Sequence, residues 1–153
     1  MKTYRNTITE NIESLRALVK ASLKIESDYE TLKLKTEDMS LFQWVEAKQE
    51  STTDFILATL SLLKDLSIKN NGGFIFNKEI LDEDLKTRSL IVPLNSEVIE
   101  RECSKIDEYH LYSIIETMAK NKVDSKIYKL LNKRLEKLNN SIKYNQNPPL
   151  LVG

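Results

Sequence analysis

The sequence predicts an all-α protein with four main helices, and three observations support this fold class. Apolar residues recur at spacings of three and four along most of the chain, which places them on one helical face. Only 3 Gly and 3 Pro occur in 153 residues, so few positions favour turns. Capping residues stand where the apolar patterns begin. We therefore expect an antiparallel bundle or two long helical hairpins.

The first helix is predicted to run from a capping box at Thr7 and Glu10 to about Lys35. In such a box, two side chains three residues apart satisfy backbone N–H groups of the first turn. The apolar stripes of this helix are long enough to suggest a coiled-coil-like face. They contain Ile8, Ile12, Leu15, Leu18, Val19, Ile25 and Leu32.

The second helix is predicted to begin at Ser40, which has Gln43 three residues later. Residues 46–54 are almost wholly polar, so the helix either continues through a solvated waist or restarts at Ser51. We favour the continuous helix. Asn70 to Gly73 then supplies residues that adopt the left-handed conformation at a helix end.

The segment around residues 74–95 loses the helical periodicity. Two short apolar runs, 74–76 and 90–92, flank a charged stretch. They either pair as a small β ribbon or belong to an irregular connection that contains a short helix at 78–87. The sequence therefore predicts a short irregular or minor β connection here.

Two further helices follow this connection. One starts at the caps Asn95 or Ser96 and reaches about Lys120, and the last starts at Asp124 or Ser125. A regular stripe marks the last helix: Ile127, Leu131, Leu135, Leu138 and Ile142. No repeat or linker divides the chain, so we expect a single helical domain at 1–147 and a C-terminal tail at 148–153.

Composition narrows the class of protein. The 23 basic and 23 acidic residues balance, so the whole molecule lacks the field of a strongly basic nucleic-acid binder. No apolar run approaches the roughly 20 residues that span a bilayer, and the N-terminus does not resemble a signal peptide. A lone cysteine fits a reducing compartment. We expect a cytoplasmic protein without membrane contact, or a nuclear one if the source is eukaryotic.

Candidate catalytic and metal-binding residues cluster on the third helix but form no recognisable centre. His110 is the only histidine, and Glu102 and Asp107 precede it on the same helix. A carboxylate-bridged metal bundle needs a second histidine, which this chain lacks. Acidic neighbours oppose ionisation of Cys103. We therefore predict no catalytic residue, no metal site and no cofactor, and expect that the protein is not an enzyme.

The one charge feature above background lies in the last helix region. Residues 120–143 contain eight basic and only two acidic residues. Such a surface is either only solvated or complementary to acidic residues elsewhere in the same protein, or it binds a partner. The partner would be an acidic protein face or a phosphate backbone, with Tyr128 and Tyr144 nearby for stacking. The predicted partner-binding residues are Lys126, Lys129, Lys133, Arg134 and Lys137.

These patterns favour a non-enzymatic protein–protein interaction module, such as an adaptor, a chaperone-like subunit or an inhibitor within a complex. The alternative is a small nucleic-acid-associated regulator that uses the basic C-terminal helix. The broad apolar stripes of the first two helices also predict self-association, because they exceed what one short bundle easily covers.

Overall fold

A computed structural model describes residues 2–69, 94–120 and 125–146, with side chains at 9–68, 94–119 and 125–142. Four helices make up these ranges: α1 (Lys2–Lys35), α2 (Met39–Lys69), α3 (Ser96–Lys120) and α4 (Ser125–Gln146). The predicted all-α class with four main helices is confirmed. Apart from Leu94 and Asn95, the connection predicted at 74–95 lies outside the described residues, as does the predicted tail at 148–153.

The starts of α2 and α3 are set by side chains that accept hydrogen bonds from backbone N–H groups of the first turn. Asp38 caps α2, because its Oδ1 accepts the N–H groups of Ser40 at 2.9 Å and Leu41 at 3.2 Å. The prediction of Ser40 as the cap was therefore wrong. The predicted box at Thr7 was also wrong, since α1 already begins at Lys2. The Asn95 cap of α3 is confirmed by a 2.9 Å bond from the Val98 N–H to its Oδ1.

The contacts between helices give their directions. The backbone oxygen of Lys35, at the end of α1, accepts a hydrogen bond from the N–H of Leu94, just before α3. Ser22, which comes earlier in α1, contacts His110, which comes later in α3. α1 and α3 are therefore antiparallel neighbours. Lys48 near the start of α2 contacts Ser141 near the end of α4, so these two helices are also antiparallel.

The bundle is built from two hairpins, α1–α2 and α3–α4, which pack side by side. Around the bundle the order is α1, α2, α4, α3, and every adjacent pair is antiparallel. The helices α2 and α3 lie diagonally and run in the same direction. Lys69 and Leu94, the described residues that flank 70–93, therefore lie towards opposite ends of the bundle. The contacts between the described helices therefore fit the predicted antiparallel bundle.

Apolar residues form a core cluster in each half of the bundle. One cluster joins all four helices and includes Leu15, Leu63, Ile114 and Leu131, each no more than 1% exposed. A second joins α1, α2 and α3 through Ile25, Leu32, Leu41, Val45, Ile99 and Cys103. A third packs Val19 and Leu23 of α1 against Ile56 of α2. The stripe residues of α1 from Ile12 to Leu32, which predicted self-association, are buried in these clusters by contacts within one chain, whereas the side chain of Ile8 lies outside the described residues.

The described helices also bear on the expected absence of membrane contact. Within these ranges, none is both long enough and apolar enough to cross a bilayer.

We predict that Leu131→Ala lowers the free energy of unfolding by about 2 to 5 kcal/mol, because it opens a cavity in the four-helix cluster. The side chain is 0% exposed. Leu57→Ala is the matched control, since Leu57 is 60% exposed on α2 and its loss removes few contacts. Urea denaturation measures both. Equal stability of the two variants would contradict the placement of α4 in this core.

Candidate functional site

One side of the polar segment of α2 faces the interior of the bundle, and the other side faces solvent. Continuity of this helix through residues 46–54 is confirmed. The predicted solvation holds for Glu50 and Asp54, which are exposed, but not for Lys48 and Thr52. The Lys48 side chain is only 9% exposed and Thr52 is 0% exposed. The other helices supply polar partners at this level, so these side chains form hydrogen bonds inside the bundle. Together they form a polar layer that comprises Ser22, Tyr29, Lys48, Ser51, Thr52, Asp107, His110, Arg134 and Ser141.

Asp107 is the centre of the polar layer, because its carboxylate accepts hydrogen bonds from the other three helices. Lys48 of α2 donates to Oδ2 at 2.7 Å, and Ser141 of α4 donates to the same oxygen at 3.3 Å. The Tyr29 hydroxyl of α1 donates to Oδ1. Burial, followed by the charge of Asp107, raises the pKa of Tyr29 well above its usual value, so the phenol stays neutral.

Arg134 is the second buried charge of the layer and is 5% exposed. Its NH1 donates to the backbone and side-chain oxygens of Ser51 at 3.3 and 2.6 Å, and its NH2 donates to Thr52 at 3.1 Å. No carboxylate among the described residues forms an ion pair with it, and its Nε has no hydrogen-bond partner there. Burial lowers the pKa of this guanidinium, since desolvation disfavours the charged form.

His110 and Cys103, the two reactive residue types on α3, are both fully buried. Nε2 of His110 and the Ser22 hydroxyl share a hydrogen bond of 3.1 Å. Burial, with a smaller contribution from Arg134, lowers the pKa of His110 to about 3, so the imidazole is neutral near pH 7. Burial raises the pKa of Cys103 to about 12, which keeps the thiol protonated. Cys103 is thus a small buried residue of the second core cluster.

A crevice of about 310 Å³ opens beside the polar layer, where α2 and α4 make the least extensive contact of any adjacent pair. Its walls include the buried Tyr29, Asp107 and Arg134. The exposed residues Ala47 and Lys137 form its rim. Three cationic side chains, including Lys48, therefore face one carboxylate around this space.

The residues predicted to bind a partner separate into two environments. Lys126, Lys129, Lys133 and Lys137 are all exposed, and their spacings of three, four and four place them on one outward face of α4. Arg134 lies inside the bundle, so its prediction as part of a solvent-facing surface was wrong. It occupies the inward stripe with Leu131 and Leu138, at spacings of three and four, which is the sequence signal that separates it from the lysines.

The exposed side of α3 carries large apolar residues. Tyr109, Tyr112 and Ile115 are 56%, 68% and 44% exposed, respectively. The buried face of the same helix is formed by Ile99, Cys103, His110 and Ile114. Exposed aromatic residues of this kind are enriched at protein interfaces.

The geometry of the polar layer suits binding and positioning better than proton transfer. Its histidine is neutral and buried, and the charge of Asp107 is matched by Lys48. Within the described ranges, no group of three or more His, Cys, Asp and Glu side chains is arranged to hold a metal ion. The accessible chemistry is that of the cationic crevice, whose ammonium and guanidinium groups attract oxyanions.

We predict that, as the pH is lowered, the free energy of unfolding decreases more steeply in the native protein than in the His110→Gln variant. The folded-state pKa of about 3 lies below the unfolded value, so only the unfolded chain protonates His110 as the pH drops below about 6.5. This stability is present above that pH and is lost as the pH falls towards 3. Between about pH 7.5 and pH 5, the extra loss should be about 2 kcal/mol.

Urea denaturation of both proteins at the two pH values measures this difference. The glutamine variant is the control for carboxylates elsewhere, because it keeps them all and removes only the imidazole. Parallel pH dependences in the two proteins would show that His110 titrates normally in the fold.

We predict that Lys48→Met lowers the free energy of unfolding by about 3 to 5 kcal/mol, because it leaves the buried Asp107 without its counter-ion. Lys105→Met is the control. Lys105 pairs with Glu102 at 3.2 Å, but the two side chains are 63% and 41% exposed, so its loss should cost under about 1 kcal/mol. Chemical denaturation compares the variants, and a similar loss in both would contradict a special role for the buried pair.

The candidate site is thus a buried polar layer that opens into a cationic crevice. The outward lysine face of α4 lies beside it. Comparisons with family models, with curated proteins and with solved structures find no match for this chain.

Proposed function

We propose that the protein is a non-enzymatic helical interaction module that binds the acidic surface of a protein partner through α4. The observation that carries the proposal is the lysine face formed by Lys126, Lys129, Lys133 and Lys137. It is the outward side of a helix whose inward side is fixed in the core by Ile127, Leu131 and Leu138. A rigid helix therefore presents four positive charges at regular intervals of about one turn.

Local charge supports an acidic partner. Glu136 is the only acidic residue within α4. Among the described residues, no carboxylate forms an ion pair with Lys129, Lys133 or Lys137. Their charges are therefore not matched within this part of the molecule. A complementary acidic face would increase the association rate and set the orientation of the complex.

One observation favours a protein over nucleic acid, which is the alternative partner of the same lysines. On α3, which packs against α4, the exposed Tyr109, Tyr112 and Ile115 are residues typical of protein contacts.

Photo-crosslinking can identify what contacts this face. Benzoylphenylalanine placed at position 129 or 133 should link the protein to a partner protein in the cells that express it. Positions 20 and 24 serve as controls, because Lys20 and Lys24 are exposed on α1. Capture of nucleic acid, or equal capture at all four positions, would overturn the proposal.

We predict that Lys126→Glu, Lys129→Glu and Lys133→Glu together weaken the purified complex at least tenfold, which is about 1.4 kcal/mol, because attraction becomes repulsion. The matched control reverses the exposed Lys20, Lys24 and Lys64 and so makes the same change in net charge. Titration calorimetry with the crosslinked partner measures both triple variants, and raised salt should weaken the native complex. Equal weakening in the two would show that only net charge matters.

A further inference from the structure

We propose that the crevice beside the polar layer binds a small organic anion, a carboxylate or a phosphate monoester, whose oxyanion group lies between Arg134 and Lys137. This binding site shares only Lys137 with the outward lysine face and goes beyond the proposed protein contact. The expected ligand is a small molecule of about ten heavy atoms and not a macromolecule.

The first argument is the state of Arg134. A guanidinium that is 5% exposed is strongly desolvated, and such groups are ordinarily paired with a carboxylate. The described residues give Arg134 only neutral acceptors, on Ser51 and Thr52. Its Nε is a buried donor without a partner in these residues, although Arg134 lines the crevice. An oxyanion in the crevice would supply both the missing acceptor and the missing charge.

The second argument is the balance of charge in the crevice. Lys48, Arg134 and Lys137 line it together with a single carboxylate, that of Asp107. Lys48 is already engaged with Asp107 at 2.7 Å, so that pair is locally neutral. Arg134 at the wall and Lys137 at the rim form no ion pair with a described carboxylate, although the charges of Asp107 and Asp54 act on Arg134 from nearby. The Ser51 hydroxyl on the same wall adds a polar group within the site.

The third argument is the size and lining of the space. A volume of about 310 Å³ exceeds the needs of a bare phosphate ion and lies at the lower end of small-molecule sites. Trp44 and Leu138 contribute apolar surface to the same walls. These features fit a ligand with an anionic head and a compact apolar body. Lys48 fixes the indole by lying 4.6 Å from the centre of its ring, which preforms this wall.

Calorimetry or NMR titration at constant ionic strength, with chloride as the balancing ion, tests the site. The probes are benzoate, phenyl phosphate, inorganic phosphate and the neutral benzyl alcohol. We predict that benzoate or phenyl phosphate binds with a dissociation constant of about 1 mM or tighter, and that the tighter of the two identifies the preferred head group. Inorganic phosphate should bind at least about tenfold more weakly, because it leaves the apolar walls uncovered. Equal binding of benzyl alcohol would overturn the proposal.

Lys137→Gln and Lys129→Gln provide the matched pair of variants. Both lysines are exposed on α4, but only Lys137 lines the crevice. Loss of its charge-assisted contact should weaken the organic anion about tenfold, while Lys129→Gln should change its affinity less than about twofold. Arg134→Lys, which keeps the charge and removes Nε, should also weaken binding about tenfold. If that variant does not fold, the lysine pair still decides the question.

No binding by either organic anion at about 10 mM, or the same loss in both lysine variants, would refute the site. The outcome is independent of the protein contact. Reversal of Lys126, Lys129 and Lys133 should leave binding of the organic anion within about twofold, since none of these three residues lies in the crevice.

Discussion

The arrangement of the bundle depends on one buried carboxylate, that of Asp107. Apolar side chains attract one another without direction, so leucine and isoleucine stripes alone allow helices to slide or rotate with little penalty. Asp107 removes that freedom, because it must meet a tyrosine of α1, a lysine of α2 and a serine of α4 at the same time. A shift of any helix would leave a buried charge or donor without its partner. The polar layer thereby favours one register of the packed apolar clusters.

Local patterns predicted the helices well, because the determinants of helices lie in nearby residues. The start of α3 at Asn95 and the inward stripe of α4 follow from capping and periodicity. The inward side of the polar segment of α2 was misinterpreted as solvated, because its partners, Asp107 and Arg134, are more than fifty residues away in the sequence. A one-dimensional pattern cannot distinguish polar residues that face water from those that face other polar residues. The crevice was missed for the same reason, since three different helices supply its charges.

The basic run of α4 shows how one helix separates two uses of positive charge. Its lysines keep flexible ammonium groups in water, where they are available to a surface of opposite charge. Its arginine points inward, where a planar guanidinium can satisfy several acceptors from one position. Helical periodicity alone makes this division, and it places a solvated face and a buried cation on opposite sides of the same backbone.

Nearly all the hydrogen bonds of the polar layer join one hairpin to the other. Tyr29 and Lys48 of the first hairpin meet Asp107 of the second, Ser22 meets His110, and Arg134 meets Ser51 and Thr52. Each hairpin alone therefore carries polar side chains whose hydrogen-bond partners lie on the other hairpin. Two copies of the chain that exchanged their second hairpins would rebuild the same contacts between molecules. The layer therefore specifies how the two hairpins meet, whichever copy of the chain supplies each of them.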